Sequence, residues 1–207
     1  MKKGFTLIEM LVVIGILAIL TGATIGGYSA ITKKARRAQA QETVSNVATA
    51  LGILYVKESA WPRGIINATK NNGYNVVGES VARVFGKHGL MGINCVKGGD
   101  GTVTRLRGVD KFGVLDPWGA AVLKRNKNAT LESGVPSGKT VKEHLIYFAV
   151  DLDGDGIVQA AEGAPADVRA TAIAWGAGAD GVWKIEDYPK MGRTDDVYSW
   201  QRSQEVK

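Results

Sequence analysis

The chain opens with an unbroken apolar stretch and then changes to a periodic one. From Phe5 to Ile31 the only charged residue is Glu9. Further on, Val44, Val47, Ala48, Leu51, Leu54 and Tyr55 recur three and four residues apart, which places them on one stripe of an α-helix. Alanine, glutamine and glutamate around them favour helix. Trp61-Pro62 closes the pattern, because the residue before a proline is pushed out of the helical region. The spacing predicts one helix from Thr6 to Glu58, with Gly22, Gly26 and Gly27 as places where it can bend. Its first half is apolar all round. Its second half is amphipathic and is expected to lie under a folded head.

The remainder is polar and turn-rich. There are 27 glycines and 5 prolines, a balance that suits many turns and short strands. Residues 62–110 mix Asn-Gly and Gly-Gly turns with short apolar pieces such as Val81–Phe85. Strands are expected at Ala121–Lys124 and at Leu145–Val150, the first following the anchored turn Asp116-Pro117-Trp118-Gly119. Cys95 is the sole cysteine; it has no disulfide partner or metal-type spacing and suits a small core position. His88 and His144 also lack metal-ligand spacing and are expected to be structural or exposed.

Met1-Lys2-Lys3-Gly4 before an apolar run has the charge order of a secretory signal. The run is longer than a signal core of roughly 7–15 residues and reaches the about 20 residues that cross a bilayer. Thr21-Gly22-Ala23 is a weak small-residue cleavage candidate. A carboxylate inside such a run costs on the order of 2.5–3.5 kcal/mol, so Glu9 calls for a partner. The plain alternatives are a position at the headgroup boundary, or a segment that does not span.

Lys3-Gly4-Phe5-Thr6-Leu7-Ile8-Glu9 resembles the leader and cleavage site of type IV pilins and pseudopilins. The resemblance implies that prepilin peptidase cuts between Gly4 and Phe5 and that Phe5 is then N-methylated. It also implies that Glu9 pairs with the α-amino group of Phe5 on a neighbouring subunit. Such a pair in a filament core offsets part of the carboxylate's desolvation. On this likeness residues 1–4 are a leader and 5–31 a transmembrane and filament-core helix. Residues 32–60 are its amphipathic half, and 61–207 a periplasmic head. The implied fold class is α+β, a long N-terminal helix packed on a small antiparallel sheet with long calcium-type loops. The implied location is a single pass through the bacterial inner membrane. The implied partners are identical subunits in a helical filament, minor pseudopilins, prepilin peptidase and an inner-membrane assembly platform.

Charge bears on two of these expectations. The formal net charge is +6, and loss of Lys2 and Lys3 with the leader leaves 6 − 2 = +4. That balance permits acidic partners, but nothing in the chain points to a specific nucleic acid. Lys33, Lys34, Arg36 and Arg37 follow the apolar run, and a count of Lys and Arg alone would keep that side in the cytoplasm. The resemblance implies the reverse, since the leader must face a peptidase on the cytoplasmic side.

Asp151-Leu152-Asp153-Gly154-Asp155-Gly156-Ile157 through Glu162 fits the D-x-[DN]-x-[DN]-G-x₅-E calcium loop without a gap. Asp151, Asp153 and Asp155 offer oxygens at alternate positions, Gly156 permits the sharp turn, the Ile157 carbonyl adds a ligand, and Glu162 closes the site with both oxygens. The segment before it reads as a strand and Pro165 limits any helix after it, so the loop is expected outside an EF-hand setting. The plain alternative is an acidic turn without an ion.

Asp116-Pro117-Trp118-Gly119 resembles the motif after the helix in the major pseudopilin of type II secretion systems. Gly178-Ala179-Asp180-Gly181 with Asp195-Asp196-Val197-Tyr198-Ser199-Trp200 resembles the C-terminal calcium loop of the same family, which implies Asp180, Asp195 and Asp196 as a second ligand set. Residues 182–191, with Trp183 and Pro189, depart from the family's glycine-rich spacing. A tryptophan-pinned loop without metal is the alternative.

No Ser/His/Asp grouping, phosphate loop or zinc pattern is present, and the carboxylates have metal-loop spacing, so the chain reads as a non-enzyme. The leading expectation is a structural subunit of a pseudopilus-like filament of a type II secretion system, with one or two Ca2+ sites. A type IV pilus pilin for adhesion, motility or DNA uptake is the alternative. A membrane-anchored calcium-binding module that never polymerises is a third reading.

Overall fold

The computed structural model describes residues 6–97, 103–135, 138–183 and 196–200, the side chains of 23–27, 97 and 103–105 excepted. It divides into two compact units, residues 1–36 and 37–207.

Helix α1 runs from Leu7 to Glu58, close to the expected bounds. In the first unit its described apolar side chains find no cover: Leu7 is 82% and Ile19 75% exposed. In the second unit its stripe is buried, with Ala40, Val44, Val47, Leu51 and Leu54 fully inside. The helix stops before Trp61-Pro62, at Ser59, whose φ of 54° is left-handed.

A short helix α2 (Arg63–Ile66) leads to a hairpin of β1 (Lys70–Asn71) and β2 (Tyr74–Val76). Asn72 and Gly73 both take positive φ at its tip, as a type I′ turn requires. The next helix, α3 (Glu79–His88), buries Val81, Ala82 and Phe85 and ends at Gly89 in the left-handed conformation. A side hairpin joins β3 (Asn94–Lys97) and β4 (Val103–Arg107).

The sequence expectation of a strand at Ala121–Lys124 is corrected here. Those residues lie in helix α4 (Pro117–Arg125). Asp116 is its N-cap: Oδ1 accepts from the Trp118 and Gly119 amides at 2.9 Å each, and Pro117 occupies the first helical turn. An aspartate followed by a proline starts a helix as readily as a turn.

The remaining strands are β5 (Tyr147–Val150), β6 (Ile157–Val158), β7 (Val168–Arg169), β8 (Ala172–Gly176) and β9 (Val197–Tyr198). The main sheet has the order β1-β2-β5-β8-β9, with antiparallel pairing at every step. Strand β5 is buried on both faces. Ile146, Phe148 and Val150 join the α1 stripe, while Tyr147 and Ala149 join Trp175, Trp183 and Trp200 in a second core. Side chains alternate across a strand, so a sheet covered on both sides yields the continuous apolar run read in the sequence. The fold is α+β, as expected.

Candidate functional site

Gly4 and Phe5 lie outside the described residues. The chain enters α1 through Thr6, whose backbone N–H and hydroxyl both donate to Glu9 Oε2 at 2.8 Å. The Glu9 amide reaches back to Thr6 Oγ1 at 3.3 Å. This reciprocal arrangement is a capping box. The Thr-x-x-Glu spacing that announces it stands in the sequence, and Thr6 is the residue the sequence reading passed over. Thr21 and Thr32 return their hydroxyl protons to the carbonyls of Leu17 and Tyr28, which satisfies them without water. Among the described residues no helix is long and apolar enough to cross a membrane. The described apolar side chains from Leu7 to Gly22 fall short of the about 20 residues a span needs, and those of 23–27 are not described.

The acidic loop lies between β5 and β6. Carboxylate oxygens of Asp151, Asp153 and Asp155 lie within 4.8 Å of one another, so these three could hold a metal ion. Asp151 is buried and the other two are exposed. Asp151 organises the turn: Oδ1 accepts from the Gly154 amide at 2.6 Å and Oδ2 from the Gly156 amide at 2.9 Å. Both glycines have left-handed φ, 79° and 83°. Ile157 begins β6 and pairs with Arg169. Glu162 folds back over the loop, taking the Leu152 amide on Oε1 at 2.5 Å and the Gln159 amide on Oε2 at 2.8 Å. A strand precedes the loop and a three-residue 3-10 turn (Ala160–Glu162) follows it, the non-EF-hand setting expected. The Trp61 indole N–H donates to the Asp151 carbonyl, and Trp61 packs against Tyr55 at 4.8 Å between ring centroids. The loop is thereby tied to the end of α1, a link with no local sequence signal.

The second acidic region is only partly described. Asp180 is exposed and accepts from the Val182 amide at 2.8 Å. Asp196 is buried, and the Tyr198 hydroxyl donates to its Oδ2 at 3.4 Å. Asp195 lies outside the described residues. Among the described residues, Asp151, Asp153 and Asp155 form the one cluster of three metal-ligating side chains, and Asp180 and Asp196 are not in it.

His144 is structural. It is fully buried against Asp116. Burial pushes the Asp116 carboxyl above the usual carboxylate range, against the lowering effect of His144 and of the Gly119 and Trp118 amides. His88 lies 3.5 Å from Glu58. Cys95 is half-buried beside Gly86.

Residues 1–25 match the prokaryotic N-terminal methylation motif. The chain is 29% identical over 91 residues to a fimbrial protein of Neisseria meningitidis serogroup A, covering 44% of this chain and 54% of that one. It is 28% identical over the same length, with the same coverage, to the type IV major pilin protein PilE of Neisseria gonorrhoeae. The chain thus spans about half the length of the curated relatives it matches. No solved structure matches it.

Proposed function

We propose, for a chain that belongs to the type IV pilin and pseudopilin family, that it is the subunit of a type IV pilus-like filament. The family makes it a structural protein rather than an enzyme. The observation that carries the filament reading is the uncovered apolar surface of α1, most of it within the segment that matches the methylation motif. Apolar surface of this extent is stable against lipid or against other apolar helices, and a subunit stored in a membrane and then packed into a filament meets both. Residues 5–31 span the bilayer before assembly, with the head on the periplasmic side. Prepilin peptidase cleaves between Gly4 and Phe5, and Glu9 then pairs with the methylated Phe5 amine of a neighbour.

The sequence reading ranked the type II secretion pseudopilin first. The relatives found are fimbrial proteins and a major pilin, which favours the pilus alternative. The pseudopilus stays as a second reading on one observation, the resemblance of Asp116-Pro117-Trp118-Gly119 and Asp195–Trp200 to major pseudopilins. Minor pseudopilins and an inner-membrane assembly platform are its partners on that reading.

Calcium is the ion we assign to the loop of Asp151, Asp153, Asp155, the Ile157 carbonyl and Glu162. Calcium takes six to eight hard oxygen ligands, and these four side-chain and one carbonyl donors can supply most of them. Asp180, Asp195 and Asp196 are the proposed second site. An ion at either place stabilises by binding the folded state alone.

The test is the N-terminus and intact mass of the protein taken from membranes and sheared surface filaments of its host. A chain starting at N-methylated Phe5 in surface filaments supports the pilus reading. The same chain confined to membranes points to the pseudopilus. A start at Met1, or near residue 24, overturns both.

A further inference from the structure

Lys124 and Arg125 close helix α4, and Lys127 follows directly after it. A fourth cation joins them through space: the Lys111 ammonium donates to the Lys127 carbonyl at 3.1 Å. All four are exposed, and among the described residues none takes part in an ion pair. The acids of this segment offset them little. Asp110 is half-buried, and Asp116 is buried and spent on His144 and the first amides of α4. A helix C-terminus favours cations, which accounts for Lys124 and Arg125. Lys111 and Lys127 lie outside the helix, and like charges held this close repel. A second group of exposed charges has the opposite sign. Asp153, Asp155 and Asp167 stand open around the loop between β5 and β6, with Glu162 half-buried among them. Asp167 is held there by the Ala160 amide at 2.9 Å. Arg169 offsets one of these charges, and the loop stays net negative with one divalent cation bound.

The two groups sit at opposite ends of one strand and of the stretch of α1 that covers it. At the start of β5, Ile146 Cδ1 and Val44 Cγ2 both border Gly176, 3.4 and 3.7 Å from where its Cβ would stand. The Ile146 carbonyl accepts from the Val77 amide and the Val77 carbonyl from the Val114 amide, each at 2.8 Å, which brings Lys111 to that end. At the far end of β5, the Asp151 carbonyl accepts from Trp61, and the Tyr55 hydroxyl lies 3.8 Å from where a Cβ of Gly154 would stand. From Val44 to Tyr55 the helix rises about 16 Å at 1.5 Å per residue. From Ile146 to Asp151 the strand rises about 17 Å. Opposite charges at opposite ends of one chain make a heterologous contact, in which an end of one copy fits the other end of the next. We infer that Lys111, Lys124, Arg125 and Lys127 are the docking surface for the acidic loop of a second copy of this chain, with Asp153, Asp155 and Asp167 facing them. The contact repeats from head to head. It rests on the filament reading, which sets the copies parallel.

Whole cells of the host, and filaments sheared from them, are treated with a zero-length carbodiimide, which joins an amine to a carboxylate already in contact. The linked peptides are identified by mass. Lys111, Lys124 or Lys127 should be found joined to Asp153, Asp155 or Asp167. The separation of about 16 Å between the two ends of one chain exceeds that reach, so such a link reports two copies. Lys124→Glu combined with Arg125→Glu and Lys127→Glu should lower filament yield at least about tenfold, because like charges then meet at the contact. Lys124→Arg combined with Lys127→Arg should keep it normal. Cleavage after Gly4 and the membrane level of the subunit should be unchanged in both variants, which separates assembly from folding. Natural filaments without the links, or normal filaments from the charge-reversed variant, overturn the contact and leave the filament standing. A natural chain that is neither cleaved after Gly4 nor assembled removes the filament reading and the contact with it. A charge-reversed variant whose filaments form normally but no longer bind duplex DNA gives the surface to nucleic acid and also overturns the inference.

Discussion

His144 Nδ1 lies 2.7 Å from Asp116 Oδ2, and neither side chain is open to solvent. The other carboxylate oxygen of Asp116 holds the first amides of α4. One side chain thus joins the start of a helix to the turn that feeds the central strand β5, in the space left by Gly119, where a Cβ would come within 2.7 Å of the His144 Cβ. Asp116→Ala removes the cap and leaves a buried ring nitrogen unpaired, at a combined cost of about 2–4 kcal/mol. Asp116→Asn should cost less. Its carbonyl still caps α4, and its amide can donate to His144 Nδ1 once the ring adopts the other tautomer. Denaturant unfolding of the full chain checks the order; equal losses for the two variants would mean that the cap contributes nothing.

Tyr147 provides an alkaline test. Burial pushes its phenol up to about 12, against a lowering contribution from the Asn71 hydrogen bond. A group whose pKa is raised by folding contributes stability that is complete below its ordinary value, near 10, and is lost as pH climbs to the folded value. Between pH 10 and 12 the protein should lose about 2–3 kcal/mol from this group. Tyr147→Phe gives up the 3.0 Å bond from Asn71, about 1 kcal/mol at neutral pH, and then escapes the alkaline loss. Stability curves of the two proteins should therefore converge or cross in that window. Parallel curves would show that the phenol is not held neutral by the core.

The long helix was legible because a 3.6-residue stripe and an apolar run are both statements about which faces meet water, and α1 obeys both. Strand β5 was legible because its apolar residues run on without polar interruption. Two elements misled or escaped. Ala121–Lys124 is a short apolar piece whose period is ambiguous, and the start signal that settles it, Asp116-Pro117, serves turns and helices alike. Helix α3 hides in a glycine-rich stretch, with Gly78 at its start and Gly89 at its end reading as loop. In the acidic loop the alternate aspartates and Gly156 were legible because ligand spacing is local. The tie from Trp61 to Asp151 was not, since it joins residues 90 apart.

Asp153 separates metal binding from folding in that loop. It is exposed and its one described bond, from the Asp155 amide, is long at 3.2 Å. Asp153→Ala should change metal-free stability by no more than about 0.5 kcal/mol. Calcium at a hundredfold excess over its dissociation constant should stabilise the natural chain by about 2.7 kcal/mol, a midpoint rise of roughly 5–10 °C for a head of this size. The variant should lose most of that rise, and chelator should remove it from the natural chain. A full calcium response in Asp153→Ala would move the ion away from this loop.

Glu9 has two candidate duties, capping α1 within its own chain and pairing with Phe5 of a neighbour, and one substitution divides them. Glutamine serves at the third position of a capping box as well as glutamate does, so Glu9→Gln can keep both contacts from Thr6 on its carbonyl oxygen. It cannot form the ion pair. If the charge is what assembly requires, Glu9→Gln protein should be cleaved after Gly4, methylated at Phe5 and retained in the membrane at normal levels, while filaments fall at least tenfold, a loss of about 1.4 kcal/mol or more per subunit contact. Glu9→Ala should add a weakened helix start to the same defect, seen as faster amide exchange over Leu7–Leu11. Normal filaments from Glu9→Gln, with defective ones from Glu9→Ala, would assign Glu9 to the cap and leave the Phe5 amine without its proposed partner.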